Sequence, residues 1–238
     1  MPYSPTVTDC ADEGSAAPAG EQVMYRDIYD AIMDHRLPAR TKLTELSLSR
    51  IYAMARHSVR KVLTQLAADG LVDLLPNRGA FIASPGEKEA QDMFELRQNL
   101  EQLALEKVLQ QPDAAALLSL RAMVERERAA YLQGDRPQWI RLSADFHIEL
   151  ARMGGNAVLV DMLRRLVSRT TLMISNQDSG GTQPCSFDQH LRVVDALQRG
   201  DKKMALQEMA QHLHECACRT PKNTSFDLSA VLGPARSK

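Results

Sequence analysis

The sequence predicts a mainly helical protein of two domains. The first domain combines three short helices with one β-hairpin, and the second is built of helices alone. Apolar residues recur at helical spacing along most of the chain. Aromatic residues make up only 5% of the 238 residues, whereas Leu, Ala and Met are abundant, and this composition favours helix over sheet. The break Ser84-Pro85-Gly86 follows the only β-prone region and marks the domain boundary.

Four segments follow from these patterns. Residues 1–20 are rich in Ser, Ala, Pro, Gly and acids without periodicity, and are predicted to form a disordered arm; residues 221–238 are predicted to form a flexible tail. Between them lie a first domain at 21–84 and a second at 85–220. The chain has neither a signal-peptide pattern nor an apolar run long enough to span a bilayer, and Cys10, Cys185, Cys216 and Cys218 form no CxxC pair. We therefore expect a cytoplasmic protein with reduced thiols and no membrane partner.

The first domain follows the order of a winged helix-turn-helix. One apolar helical stripe runs from Gln22 to the stop at Leu37-Pro38. A second helix is predicted from the capping residue Thr44 to about Ala53, and a third from Ala55 to Asp69. Two β-prone runs, 71–75 and 80–83, flank a turn at 76–79. Three helices plus a β-hairpin wing are therefore expected.

A basic cluster lies within this domain, although the net charge of the chain is only −1. Between Arg36 and Lys61 seven basic residues accompany one acid, Glu45, which suits the neutralisation of DNA phosphates. Arg56 and Arg60 are one turn apart near the start of the third helix, where each side chain can fork onto a guanine. The alternative is a solvated helix face, and it weighs more for Lys42 and Arg50.

Several motifs of this domain resemble the N-terminal domain of the GntR family of transcriptional regulators. They are Leu43-Thr44-Glu45, Val59-Arg60, Leu63, the run 66–72 and the run 77–81. The resemblance implies that Arg56, His57 and Arg60 read bases, with Lys61 beside them, and that Arg78-Gly79 at the wing tip enters the minor groove. The sequence departs from the family at Ala53, Ala55, Ser58 and Leu46, so an operator sequence is not transferable.

Predicted helices fill the second domain, at about 87–111, 112–133, 137–153, 156–174, 187–199 and 201–219, with a long loop at 175–186. The runs 94–97 and 100–101, together with Phe146-His147, Gly155-Asn156 and His190, resemble the FadR-type effector domain, also called FCD. This resemblance implies an all-α antiparallel helical bundle around a cavity. Many members hold a divalent metal there by one acid and three histidines, with small carboxylates bound nearby.

Three histidines, His147, His190 and His212, lie on separate predicted helices, so a bundle can direct them at one centre. Imidazole suits a zinc or nickel ion. Isolated core histidines are the alternative. Ser143 stands where the family has its acidic ligand, and Asp145 is only two residues from His147, so its side chain is expected to point elsewhere.

Two further residues are candidates for effector binding besides Ser143. Arg97 can fork onto a ligand carboxylate, or it can pair with Glu101 one turn later on the same helix. Asn156 can line the cavity, or it can cap the helix that follows Gly154-Gly155. Both alternatives remain open from the sequence.

The sequence as a whole predicts a transcriptional repressor and not an enzyme. It is expected to bind a palindromic double-stranded operator as a homodimer and to respond to a small organic carboxylate. A metal-dependent hydrolase is the alternative, since three histidines also describe catalytic zinc, although no HExxH motif or nucleophile elbow occurs. A helical interaction scaffold is a third class, but such a protein does not need the basic cluster.

Overall fold

The structure is a computed structural model that describes residues 19–33, 36–175 and 186–218. The first domain contains α1 (Ala19–Met33), β1 (Lys42–Leu43), α2 (Glu45–Ile51), α3 (Arg56–Ala68), β2 (Val72–Leu75) and β3 (Gly79–Ile82). The predicted three helices and hairpin are confirmed. The first helix is described from Ala19 to Met33, and the two residues after Met33 lie outside the described residues, before the predicted stop at Leu37-Pro38.

The small sheet has a third strand that the sequence did not reveal. Its strand order is β1-β3-β2, with both pairs antiparallel. Leu43 pairs with Ala80, and Val72 pairs with Ile82. Because β1 has only two residues, it has no alternation of apolar and polar residues from which a strand could be recognised. β1 precedes α2 and pairs with β3, so it connects the start of the helix-turn-helix to the wing.

One apolar core holds the first domain together. The buried stripe of α3 packs against α1 and beneath the sheet, and its members are Val59, Val62, Leu63 and Leu66. Val59 and Leu66 are completely buried, and so are Ile32 and Leu71. Burial of this stripe fixes the opposite face of α3 toward solvent.

The second domain is all-helical, as expected. It comprises α4 (Glu87–Gln110), α5 (Ala114–Leu132), α6 (Arg136–Met153), α7 (Ala157–Ser175), α8 (Ser186–Gln198) and α9 (Lys202–Cys218). Short connections place α6 beside both α5 and α7, and α9 beside α8. Asp113 and Asp135 cap α5 and α6 through their side chains. The helices share an apolar core that includes Phe94, Leu105, Leu120, Phe146 and Leu163.

Several predictions fall outside the described residues. The arm at 1–20 and the tail at 221–238 lie there almost entirely, as does most of the loop at 175–186, and so do Cys10 and Cys185. Cys216 and Cys218 take part in no disulfide bond within the described residues. None of the helices in the described ranges combines the length and the apolarity that crossing a membrane requires.

The two domains contact each other through α6 and α7. Trp139, Ile140 and Leu172 of the helical domain pack into the core of the first domain. Arg169 on α7 donates to the carbonyl oxygen of Gly70 at 3.3 Å and to Asp73 Oδ1 at 3.0 Å. These contacts connect the helical bundle directly to the segment that leads into the wing.

Candidate nucleic-acid interface and metal centre

The outward face of α3 carries four of the predicted contact residues. Arg56, His57, Arg60 and Lys61 are all exposed, whereas the apolar stripe of the same helix is buried. The helix begins at Arg56, because its N-cap Ala55 has extended backbone, and Ala55 provides no side-chain cap. Arg56 therefore lies at the open end of the helix, where a side chain can enter a groove of duplex DNA.

Arg60 has a partner that the sequence did not predict. Its Nε donates to Glu45 Oε1 and its Nη2 donates to Glu45 Oε2, both at 2.9 Å. The hydrogen bond from Arg60 lowers the pKa of Glu45, so the carboxylate is ionised at neutral pH. The side chain of Arg60 is nevertheless 69% exposed, so the pair lies on the surface.

The wing carries two cations against one aromatic ring. Lys42 Nζ lies 5.7 Å and the Arg78 guanidinium carbon 5.8 Å from the ring centre of Phe81. Asn77 and Gly79 have positive φ angles of 58° and 99°, which the tight turn between β2 and β3 requires. Lys42, Arg60, Arg78 and Gly79 line one groove between α3 and the wing. Arg50 is exposed in the last turn of α2 and does not line this groove.

The three predicted histidines converge inside the helical bundle. His147 on α6, His190 on α8 and His212 on α9 are buried. His212 Nε2 lies 3.3 Å from the Nε2 atoms of both His147 and His190. A tetrahedral zinc ion with Zn–N bonds of about 2.0–2.1 Å holds its nitrogens about 3.3–3.4 Å apart. The cluster therefore has the spacing of a metal-binding group.

The second ring nitrogen of each histidine, Nδ1, makes a hydrogen bond with a side-chain oxygen. Nδ1 of His147 lies 2.5 Å from Glu101 Oε2, and Nδ1 of His190 lies 2.8 Å from Glu127 Oε2. Nδ1 of His212 lies 2.9 Å from Gln189 Oε1. The orientation of the Gln189 amide is fixed, because its nitrogen donates to the carboxylate of Glu215 at 2.7 Å.

These contacts determine where the protons lie. Because the partner oxygens accept hydrogen bonds, each Nδ1 carries the proton and each Nε2 presents a lone pair to the common centre. Three lone pairs at this distance repel one another unless a cation lies between them. Such a layer of acceptors behind metal-binding histidines orients the rings and raises their basicity. The donor set therefore fits a divalent metal ion.

The ionisation of the buried groups agrees with this arrangement. Burial lowers the pKa of His147 to about 4, which keeps the imidazole neutral and able to coordinate. Burial by itself raises the pKa of Glu101, but Arg97 and His147 outweigh it and lower that pKa to about 2. The Glu101 carboxylate is therefore charged at neutral pH.

Arg97 makes the intrahelical pair with Glu101 that was one of its two alternatives. Its Nε donates to Glu101 Oε1 at 2.8 Å and its Nη1 donates to Thr170 Oγ1 at 2.7 Å. Its Nη2 is buried and has no hydrogen-bond partner within the described ranges. The structure thus leaves one nitrogen of this guanidinium available beside the histidine cluster.

The remaining candidates occupy different places. Ser143 lies one turn before His147 on α6, and Asp145 is exposed. Asn156 accepts from the amide of Leu159 at 3.1 Å, so it caps α7. Asn156 and Thr170 are separated by 14 residues of one helix, or about 21 Å. Asn156 therefore lies far along α7 from the contact of Arg97 with Thr170.

Glu127 and Gln189 were not found by reasoning from the sequence. A signal for Glu127 existed, because this acid follows Leu117, Leu120 and Val124 on one apolar stripe of α5. A charged residue in such a stripe indicates a buried polar contact. Gln189 gave no comparable signal, since a polar residue beside a histidine is common on a helix.

Comparisons with known proteins agree on both domains. The model of the gntR family of bacterial regulatory proteins matches residues 21–82, and the FCD domain model matches residues 92–215. The HTH-type transcriptional repressor RspR of Escherichia coli (strain K12) is 23% identical over 201 residues, 83% of this chain and 87% of that protein. The repressor GlaR of the same strain is 25% identical over 204 residues, 79% of this chain and 90% of that protein.

Solved structures show the same fold. E. coli McbR/YncC aligns with a TM-score of 0.70 at 17% identity and covers 83% of this chain and 95% of its own. A regulator described as a putative GntR from Rhodococcus sp. RHA1 aligns with a TM-score of 0.69 at 18% identity, covering 85% and 97%. The arrangement of both domains is thus shared with these proteins.

Proposed function

Because the chain belongs to the gntR family of bacterial regulatory proteins and carries an FCD domain, we propose that it represses transcription by binding operator DNA as a homodimer. The exposed cations of α3 beside the wing are the observation that carries this proposal. A dimer lets two such domains meet the two halves of a palindromic site. The proposed place of action is the bacterial cytoplasm.

An Arg56→Ala variant is expected to bind its operator at least about tenfold more weakly than wild type. The loss of one forked guanine contact costs about 1–3 kcal/mol, and a dimer loses it in both half-sites. Fluorescence anisotropy with a fragment from the upstream region of the gene, at several salt concentrations, measures the change. Arg126→Ala removes an exposed arginine of α5 and is the matched control. Equal affinities of the two variants would refute the assignment of Arg56.

In the helical domain we propose a divalent metal site, zinc or nickel, held by His147, His190 and His212. Glu101, Glu127 and Gln189 hold the three rings in place. When bound, the ion supplies positive charge to which a carboxylate can coordinate. Ser143 provides a hydroxyl where an acidic ligand stands in the family, and this leaves room for the effector.

A buried cation with a spare donor supports a small carboxylate as the effector. Arg97 is balanced by Glu101, with which it pairs at 2.8 Å, so a divalent ion at the three histidines adds positive charge that a carboxylate can offset. The free Nη2 donor of Arg97 is available to this carboxylate. We therefore expect effector binding to depend on the metal.

The purified protein is expected to bind one divalent ion per chain, and His190→Ala is expected to abolish this binding. The replacement removes one nitrogen ligand and leaves two. Isothermal titration with Zn²⁺, together with elemental analysis after dialysis, measures the stoichiometry. His214→Ala is the matched control, because His214 is exposed on the same helix as His212. If wild type and His190→Ala retain the same small amount of metal, the site does not exist.

The hydrolase alternative has no support in the site. Glu149, two residues after His147, pairs with Arg152 at 2.8 Å. Among the described residues, Glu101 and Glu127 are the acids that contact the cluster, and both hold Nδ1 atoms on the side away from the common centre. Their position orients the rings and is unsuited to activating a water molecule at Nε2.

A route from this site to the DNA-binding domain follows from the contacts. Arg97 donates to Thr170 on α7, and the next residue upstream, Arg169, donates to Gly70 and Asp73 of the first domain. A ligand that draws Arg97 toward itself changes its contact with α7. We propose that effector binding alters operator affinity through this shift of α7.

A further inference from the structure

We propose that Glu45 is a specificity-determining residue that holds the Arg60 guanidinium so that its far edge reads one guanine of the operator. This inference rests on the proposed DNA-binding function. The two atoms of the Glu45 carboxylate each accept one hydrogen bond from Arg60, at 2.9 Å. Glu45 therefore acts on DNA through Arg60 and is a positioning residue.

The N–H donors of Arg60 that Glu45 leaves unused lead to this inference. A guanidinium has five N–H donors, and the fork on Glu45 uses the one on Nε and one on Nη2. Three remain, including one on Nη1 and one on Nη2 that point in parallel away from the side chain. This parallel pair matches the O6 and N7 acceptors of guanine in the major groove. The contact with Glu45 therefore leaves the base-reading edge available.

The position of the pair supports a contact with DNA. Arg60 is 69% exposed and Glu45 is 34% exposed. Both line the groove between α3 and the wing, where Lys42 and Arg78 also lie. Glu45 is the first residue of α2, and its neighbour Thr44 caps this helix by accepting from the amide of Ser47 at 3.2 Å. The capped first turn of α2 thus fixes the position of the Glu45 backbone, and the carboxylate can orient Arg60.

The charge balance of the Glu45–Arg60 pair gives Arg60 a different role in DNA binding from that of Arg56. Glu45 cancels the charge of Arg60, so this arginine adds little to the general attraction of phosphates. Its directional donors remain, and the nearby carboxylate repels phosphate oxygens. Arg60 therefore contributes to sequence discrimination more than to affinity, whereas Arg56 interacts with Glu45 only through space and keeps more of its charge for the phosphates.

Glu45→Gln is expected to change specificity and affinity in opposite directions. With full-length protein, an operator is first selected from a random DNA library. We expect the variant to bind unrelated DNA more tightly, with a salt dependence steeper by about one unit per chain. Its preference for guanine at one selected position is expected to fall by about tenfold or more. Replacing that guanine by 7-deazaguanine should weaken wild type and leave the variant nearly unaffected.

Two further variants make the test specific. Arg60→Lys keeps the charge but loses the planar fork, so it should lose the guanine preference without a change in salt dependence. Glu125→Gln removes an exposed acid of α5 that pairs with Arg128 at 4.0 Å, and should change neither property. The inference about Glu45 would be overturned if Glu45→Gln lost operator binding and binding to unrelated DNA equally, or if its guanine preference stayed unchanged. Neither result would contradict the proposed DNA-binding function. Failure of the wild type to select any sequence would overturn the proposed function as well.

Discussion

Glu101→Gln is expected to lower the free energy of unfolding by about 3–5 kcal/mol, the cost of leaving one charge of a buried pair without its partner. Glu101 is fully buried, and Arg97 is 2% exposed. Glutamine has nearly the same shape as glutamate but no charge. The Arg97 guanidinium would then remain in the interior with only the hydroxyl of Thr170 and the amide oxygen as acceptors.

Urea unfolding followed by circular dichroism measures this loss, provided that the slope of the transition stays unchanged. Arg97→Met combined with Glu101→Gln should recover most of the stability, because no isolated charge remains. Glu95→Gln, at an exposed position of the same helix, should stay within about 0.5 kcal/mol of wild type. A single Glu101→Gln variant as stable as Glu95→Gln would show that the pair contributes little.

The same substitution has a second expected consequence at the histidine cluster. Glu101 holds Nδ1 of His147 at 2.5 Å. Loss of such an orienting carboxylate reduces metal affinity by about 10–100-fold in comparable sites. Stability and zinc affinity should therefore both fall in Glu101→Gln, and zinc titration of the folded variant separates the second effect from the first.

The elements of the fold were predictable where local signals exist. Apolar periodicity and the turn at 76–79 indicated the helices and the wing. β1 was not predicted, because a strand of two residues is defined by its pairing with β3, a contact between distant parts of the sequence. The histidines could be found because the residue type is rare, with 6 in the chain, and because helices of a bundle share one interior.

Paired charges were less predictable than the elements that carry them. Glu45 was visible as the single acid among seven cations, but its fork on Arg60 spans 15 residues and depends on the angle between α2 and α3. Arg97 and Glu101 are neighbours on one helix, so their pair could be foreseen, although its burial could not. The contact of Arg169 with Gly70 joins two domains and has no local signal at all.

Gly70→Ala is expected to be destabilising by about 2–4 kcal/mol, the sum of backbone strain and crowding. Gly70 has a φ of +77°, and an added Cβ would lie 2.5 Å from Cγ and 2.9 Å from Cδ of Arg169. Gly200→Ala is the matched control, because Gly200 has a φ of +67° and open space around it. The difference between the two variants in urea unfolding measures the crowding by Arg169 together with that by the backbone oxygen of Arg165, which would lie 3.2 Å from the added Cβ.

Arg169→Ala tests whether the contact between Arg169 and Gly70 also couples metal binding in the helical domain to operator affinity. It removes the Cγ and Cδ atoms, so Gly70→Ala should cost less in the Arg169→Ala background, and a double-mutant cycle measures the coupling. It also removes the donors to Gly70 and Asp73, and to Glu89 at 2.6 Å. If the contacts of Arg169 connect the two sites, zinc changes operator affinity by about 5–150-fold in wild type and has no effect in Arg169→Ala. A full zinc response in Arg169→Ala would instead assign the coupling to the apolar contacts of Ile140 and Leu172, which the substitution leaves in place.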